Sequence, residues 1–98
     1  MQESLNSLIY ISYEVEVSII PLAAKKIELR NISKDLIKET VTNPDQIVEG
    51  YGGRIVKQKI YSINNKKKLL RVVCEKSNKE TIVITAYLTS QIKKYWRD

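Results

Sequence analysis

Ninety-eight residues with no histidine and one cysteine leave few side chains able to do chemistry: lysine, arginine and tyrosine, with 17 Lys/Arg against 11 Asp/Glu. Three segments, "RIVKQKIYS", "LLRVVCEK" and "TIVITAYL", carry such groups at alternate positions. A strand turns every second side chain to the same face, so alternation assigns each residue a side. One expected face holds Lys57, Lys59, Tyr61, Arg71, Val73, Val83, Thr85 and Tyr87. That set suits an unpaired RNA segment: cations hold phosphates, phenol rings stack on bases, and hydroxyls reach a 2′-OH. The other expected face holds Val56, Ile60, Leu70, Val72, Cys74, Ile82, Ile84 and Ala86, with Gln58 as its one polar member. That face should meet the helices.

Each residue also has a plainer reading. A lysine on a sheet face is most often solvated, its stem shielding apolar neighbours such as Val73 and Val83. Arg71 differs, because it sits mid-strand between hydrophobic residues and needs either a carboxylate such as Glu75 or Glu49, or a ligand. A Tyr87 hydroxyl more often has a structural partner, yet the residue stands close to the basic stub "TSQIKKYWRD". Arg54 heads the first segment, Lys67 lies in the turn "NNKKK", and Lys94 lies in the stub, so all three extend the candidate RNA-binding surface. Ile92 and Trp96, four apart, are expected to anchor a terminal helix, with Trp96 packing rather than stacking. Cys74 belongs to the core set and should be inert.

Stepping along the chain, "IYISYEVEV" (9–17) alternates as a half-buried strand, after a flexible 1–8. Ser18 can cap a helix whose first turn tolerates Pro21, with Ile20, Ala23, Ala24 and Ile27 at helical spacing. Asn31 can end it. Ser33 and Asp35 open a second helix carrying Ile37 and Val41, which Pro44 stops. Four strands separated by short turns follow, then a short basic helix. The order β-α-α-β-β-β-β-α predicts one α+β domain over 9–98, with two helices on one face of a mainly antiparallel sheet. The first strand, at an edge, could pair with a second copy or a partner protein.

Charge is uneven. Residues 1–49 hold 5 Lys/Arg and 8 Asp/Glu, whereas 50–98 hold 12 and 3. A positive face on a small domain suits nucleic acid, an acidic protein or an anionic membrane. The membrane reading is weak, because no helix joins a strongly basic face to a broad apolar one. No run is long and apolar enough to span a bilayer, and "MQESLNSL" lacks the features of a secretory signal. One cysteine fits a reducing cytoplasm, and so little sulfur and imidazole speaks against a zinc site or any metal cofactor.

Taken together, "LAAKKIELRNIS", "VTNPDQIVEG", "KLLRVV" and "IVITAYLTSQIKKYW" resemble a family of small prokaryotic proteins. Its pattern runs His-Ala, Arg-x-Ile-Ser, Asn-Pro-Asp, and ends near Thr-Ser-Lys-Ile-x-Lys-Tyr-Trp. The family is similar to BrnT and, more distantly, to RelE-like toxins of toxin–antitoxin pairs. The resemblance spans roughly 17–97 and implies a compact α+β fold, metal-independent endoribonuclease activity in active members, and a cognate antitoxin. Arg30, Asn43, Pro44, Arg71, Tyr87, Thr89, Ser90, Lys94 and Tyr95 match by position. The first reading is therefore a toxin-like RNA-binding protein and possible endoribonuclease; Leu22, standing where that pattern has histidine, favours the alternative of a silent interaction module, either a degenerate toxin or a nucleic-acid-binding accessory factor. Were cleavage retained, the resemblance implies Lys57 or Lys59 as base, Arg71 on the phosphate, and Tyr87 as acid or nucleotide support.

Overall fold

The computed structural model of the chain describes residues 16–98. The elements are β1 (Glu16–Ile19), α1 (Pro21–Leu29), α2 (Lys34–Thr42), β2 (Gln46–Glu49), β3 (Ile55–Ile63), β4 (Lys66–Ser77), β5 (Glu80–Thr89) and α3 (Ile92–Tyr95), with a 3₁₀ turn at Tyr51–Gly53. The described part thus forms an α+β domain with the expected element order. Residues 1–15, including most of the strand expected at 9–17, lie outside the described residues. β1 itself continues through Ser18, which is therefore strand rather than cap. Ile20 is the N-cap of α1 and makes no side-chain cap bond; Pro21 fills the first turn.

Local chemistry sets the helix limits. Asn31 takes a left-handed φ of 55°. Its N–H donates to Glu28 O while that of Ile32 donates to Ile27 O, which closes α1 with a Schellman motif. Ser33 caps α2, its Oγ accepting from the N–H groups of Asp35 and Leu36. Asn43 and Pro44 then end it.

The five strands form one mixed sheet in the order β1-β5-β4-β3-β2. β2 to β5 make an antiparallel meander, and β1 joins as an outer strand parallel to β5. Both longer helices pack on one face. Ala23, Ile27, Ile32, Ile37 and Val41 meet Leu70, Val72, Cys74, Val83 and Ala86 in a single buried cluster. Among the described residues, no helix is long and apolar enough to cross a membrane.

Two features set which side chains share a face. The β3–β4 turn is Asn64-Asn65, with φ of 53° and 63°, the geometry of a two-residue type I′ hairpin. It fixes Ile63 opposite Lys66, and hence Lys57 opposite Val72, Gln58 opposite Arg71, and Lys59 opposite Leu70. Directly opposed residues lie on one face. Lys57, Lys59 and Tyr61 therefore face the helices, whereas Val56, Gln58 and Ile60 lie on the other side with Arg71. This reverses the assignment expected for β3. The second feature is a register shift: Val73 pairs with Thr85 but Cys74 pairs with Val83, leaving Ile84 as the extra residue. Such a bulge breaks strict alternation. Val83 accordingly enters the core instead of the far face, while Ile82 and Ile84 stay half-buried outside it.

The far face is not fully open. After β5 the chain folds back across it, and α3 forms a partial third layer. Gln58 and Leu69, both on this face, are completely buried.

Candidate nucleic-acid interface

Arg71 is the centre of the far face. β4 presents it between Gln58 on β3 and Tyr87 on β5, its direct cross-strand neighbours. Its Nε donates to Gln58 Oε1 at 2.9 Å, and its Nη1 donates to the Tyr87 hydroxyl at 2.6 Å. The Tyr95 ring stacks beneath the guanidinium, 4.1 Å from Cζ to centroid, a distance at which cation–π attraction is strong. Tyr87 and Tyr95 in turn meet edge to face at 6.3 Å. These contacts hold the guanidinium plane in place and leave the outer Nη2 edge unengaged among the described residues.

Gln58 carries much of this arrangement. It is fully buried, and its Nε2 donates to Gln46 Oε1 at 2.8 Å and to Tyr95 O at 3.2 Å. Gln46 then holds the backbone of Arg97 through two bonds, accepting from its N–H at 3.1 Å and donating to its carbonyl. A polar chain thus runs from the terminal backbone through two glutamines to Arg71, with every group of the Gln58 amide in use. The sequence marked Gln58 as an odd polar residue among hydrophobic ones. Only the register shows that it belongs with Arg71.

Arg71 has no carboxylate partner among the described residues. Glu75, one of its two expected partners, instead pairs with Arg54, Nε to Oε2 at 3.0 Å. Arg71, Tyr87, Tyr95, Arg54 and the almost fully exposed Tyr51 border a cavity of about 510 Å³ floored by Val56 and Val73. That size suits a small organic group rather than a lone ion. The shape comes from the 3₁₀ turn, where Gly52 and Gly53 take φ of 69° and 80° and swing Tyr51 to the rim.

The remaining expected site residues divide. Lys57 is buried against α2, with its Nζ donating to Val41 O at 2.8 Å, and burial lowers its pKa. Lys59 Nζ donates to Asn43 O at 2.9 Å and lies 3.4 Å from Asp45 Oδ1. Both lysines thus satisfy carbonyls at or just beyond the C-terminal end of α2, where a positive charge also suits the helix dipole and where that helix has no basic residue of its own. Tyr61 hydrogen-bonds Thr40 and Glu39 on α2, and burial pushes its phenol up to about 12. All three are removed from the Arg71 site by the thickness of the sheet. Thr85 Oγ1 accepts from Arg30 Nη1 at 3.3 Å; the same nitrogen bonds Ala86 O at 2.8 Å, beyond the end of β1. Lys94 lies with its Nζ 5.3 Å from the Tyr95 ring centroid, beside the cluster. Lys67 lies on the other side of α3. Cys74 is buried, with its thiol raised to about 11 by burial.

Leu22, which replaces histidine in the resembling pattern, sits 60 % exposed on α1, in the layer opposite Arg71. Tyr51 and Tyr95 were not among the site residues expected from the sequence. Tyr51 showed only as an aromatic beside a Gly-Gly pair, and Tyr95 as an aromatic beside Lys-Lys that matches the resembling pattern by position. Among the described residues no group of three or more Cys, His, Asp or Glu side chains could hold a metal ion.

A family model described as a domain of unknown function (DUF4258) matches residues 23–88. No curated protein and no solved structure matches the chain.

Proposed function

The chain belongs to the DUF4258 family, and we propose that it is a toxin-like protein that binds unpaired RNA on the Arg71 face, without cutting it. The observation that carries this reading is the guanidinium itself. A half-buried arginine with no carboxylate partner among the described residues, fixed by Gln58 and Tyr87 and stacked on Tyr95, presents its outer edge to a cavity rimmed by aromatic rings. Phosphate takes the Nη2 edge, and a base takes a tyrosine face. Preorganisation matters because the groups that would otherwise lose freedom on binding are already ordered. Arg54, through the part of its charge that Glu75 leaves unscreened, adds positive charge at the rim, Glu49 on the same lining offsets part of it, and Lys94 lies beside the cluster.

Binding without scission is favoured because the lysines expected to act as base, Lys57 and Lys59, are engaged at the end of α2 on the opposite face. Arg71 and Tyr87 remain in position to stabilise a phosphorane and to donate a proton, but cleavage through a 2′-OH also needs a base. A BrnT- or RelE-like origin fits this picture as a toxin scaffold kept for binding, with an acidic antitoxin-type protein as its protein partner. Fluorescence anisotropy with labelled single-stranded RNA tests the reading. Arg71→Ala should weaken binding about 10–100-fold and reduce the salt slope by about 0.7. Equal affinity in the parent and Arg71→Ala would remove the site. Strand scission by the parent that Arg71→Ala and Tyr87→Phe abolish would replace this reading with the endoribonuclease one.

A further inference from the structure

A second cavity, of about 480 Å³, lies on the far side of α3 and is lined by Ile60, Lys67, Ile92, Lys93, Trp96 and Asp98. Like the Arg71 cavity it joins apolar side chains to two cations and one carboxylate, but it has one aromatic ring, Trp96, where the other has three tyrosines. We infer that it is a second nucleotide pocket, taking the base next to the one at Arg71 in the same RNA strand. The inference rests on the reading of the Arg71 face given above.

Three observations support it. First, Trp96 is only half-buried. A tryptophan serving packing alone at a helix end would hide most of its ring, whereas this one reaches a cavity large enough for a base. Its apolar neighbours Ile60 and Ile92 supply the rest of a stacking floor. Second, the cavity's cations are available. Among the described residues neither Lys67 nor Lys93 forms an ion pair, although Asp98 lines the same cavity and offsets part of their charge. Lys67 comes from the β3–β4 hairpin and Lys93 from α3, so the two approach from different elements, as a phosphate clamp requires. Third, the two cavities are neighbours by construction. Tyr95 lines one and Trp96 the other. Tyr95 is the last residue of α3 and Trp96 its extended C-cap, so their Cα atoms lie about 3.8 Å apart. A strand crossing α3 therefore meets Tyr95 and Trp96 in succession. The glutamine chain that fixes Arg71 also fixes this segment, through Tyr95 O and the Arg97 backbone, so both pockets share one support.

Trp96 is the single tryptophan of the chain, so all tryptophan emission comes from the ring that lines this cavity. The experiment titrates the full chain with labelled hexauridylate and hexaadenylate, recording anisotropy and tryptophan emission in the same samples. The expected result is emission quenched in step with anisotropy, and protection of Trp96 from acrylamide. Trp96→Leu should weaken binding about tenfold. Lys67→Ala with Lys93→Ala should lower the salt slope by about 1.4, the contribution of two phosphate contacts on a single strand. Neither lysine is part of the packing, so this pair tests the pocket even where Trp96→Leu unfolds. Saturating anisotropy with unchanged emission and unchanged salt slope overturns the second pocket and leaves RNA binding at Arg71 standing. No anisotropy change with either RNA overturns both.

Discussion

Replacing Gln58 with leucine tests the polar chain that supports the site. Leucine has nearly the same volume, so the cavity cost is small and the loss is electrostatic. Three hydrogen bonds disappear: one from Arg71 Nε at 2.9 Å, one to Gln46 at 2.8 Å and one to Tyr95 O at 3.2 Å. A bond from a charged donor contributes roughly 1.5–3 kcal/mol and each neutral one roughly 0.5–1.5, so the gross loss is about 2.5–6 kcal/mol. Arg71 is half exposed and can recover water, which places the expected net loss near the lower end, about 3 kcal/mol. At the shallow urea slopes usual for small domains, about 1 kcal/mol per M, the midpoint should fall by about 3 M. Gln58→Glu sharpens the test. It keeps an acceptor for Arg71 but sets a carboxylate against Gln46 Oε1 and the Tyr95 carbonyl, so the terminal segment should lift off. Urea titrations followed by circular dichroism and by Trp96 emission read both effects. A Gln58→Leu protein within 0.5 kcal/mol of the parent, with Trp96 emission unmoved in both variants, would refute the idea that this amide organises the face.

Other expectations follow from the same geometry. Lys57→Met and Lys59→Ala should leave RNA affinity within twofold, because both side chains serve the end of α2; anisotropy checks this. Asn65→Gly should stabilise the chain by about 0.5–1 kcal/mol, since φ is 63° there and glycine adopts that region without strain; the thermal midpoint reads it. Ser33→Ala should cost about 1 kcal/mol in the same assay, through loss of the α2 cap. Alkaline pH should weaken the fold. Burial raises Cys74 to about 11 and Tyr61 to about 12, so each contributes stability that is intact below its ordinary value and lost as pH rises through the raised one. Lys57 works the other way: its folded pKa is lowered, so its titration adds stability between that value and 10.5. The raised Tyr61 value predicts that between pH 10 and 12 the urea midpoint of the parent falls relative to that of Tyr61→Phe.

The sequence by itself determined the elements. Asn31, Ser33 and Pro44 punctuate the helices through backbone chemistry that acts over a few residues, and alternation marks β3, β4 and β5 as strands. It also placed Arg71 and Tyr87 correctly on one face, because β4 and the last part of β5 alternate without ambiguity. It did not decide the face of β3. Val56 and Ile60 are as apolar as Ile55, so periodicity in that strand alone fits either parity, and the readable clue was the two-residue Asn-Asn hairpin that fixes Ile63 opposite Lys66. The bulge at Ile84 had no local signal. Nor did the return of the terminal segment over the sheet, which depends on a hydrogen bond from Gln58 to the Tyr95 carbonyl, 37 positions away, and one that Gln46 accepts from the Arg97 N–H, 51 positions away. Register, bulge and third layer are settled by long-range pairing. These three, rather than propensity, turned Lys57 and Lys59 into props for α2 and brought Gln58, Tyr95 and Trp96 to the site.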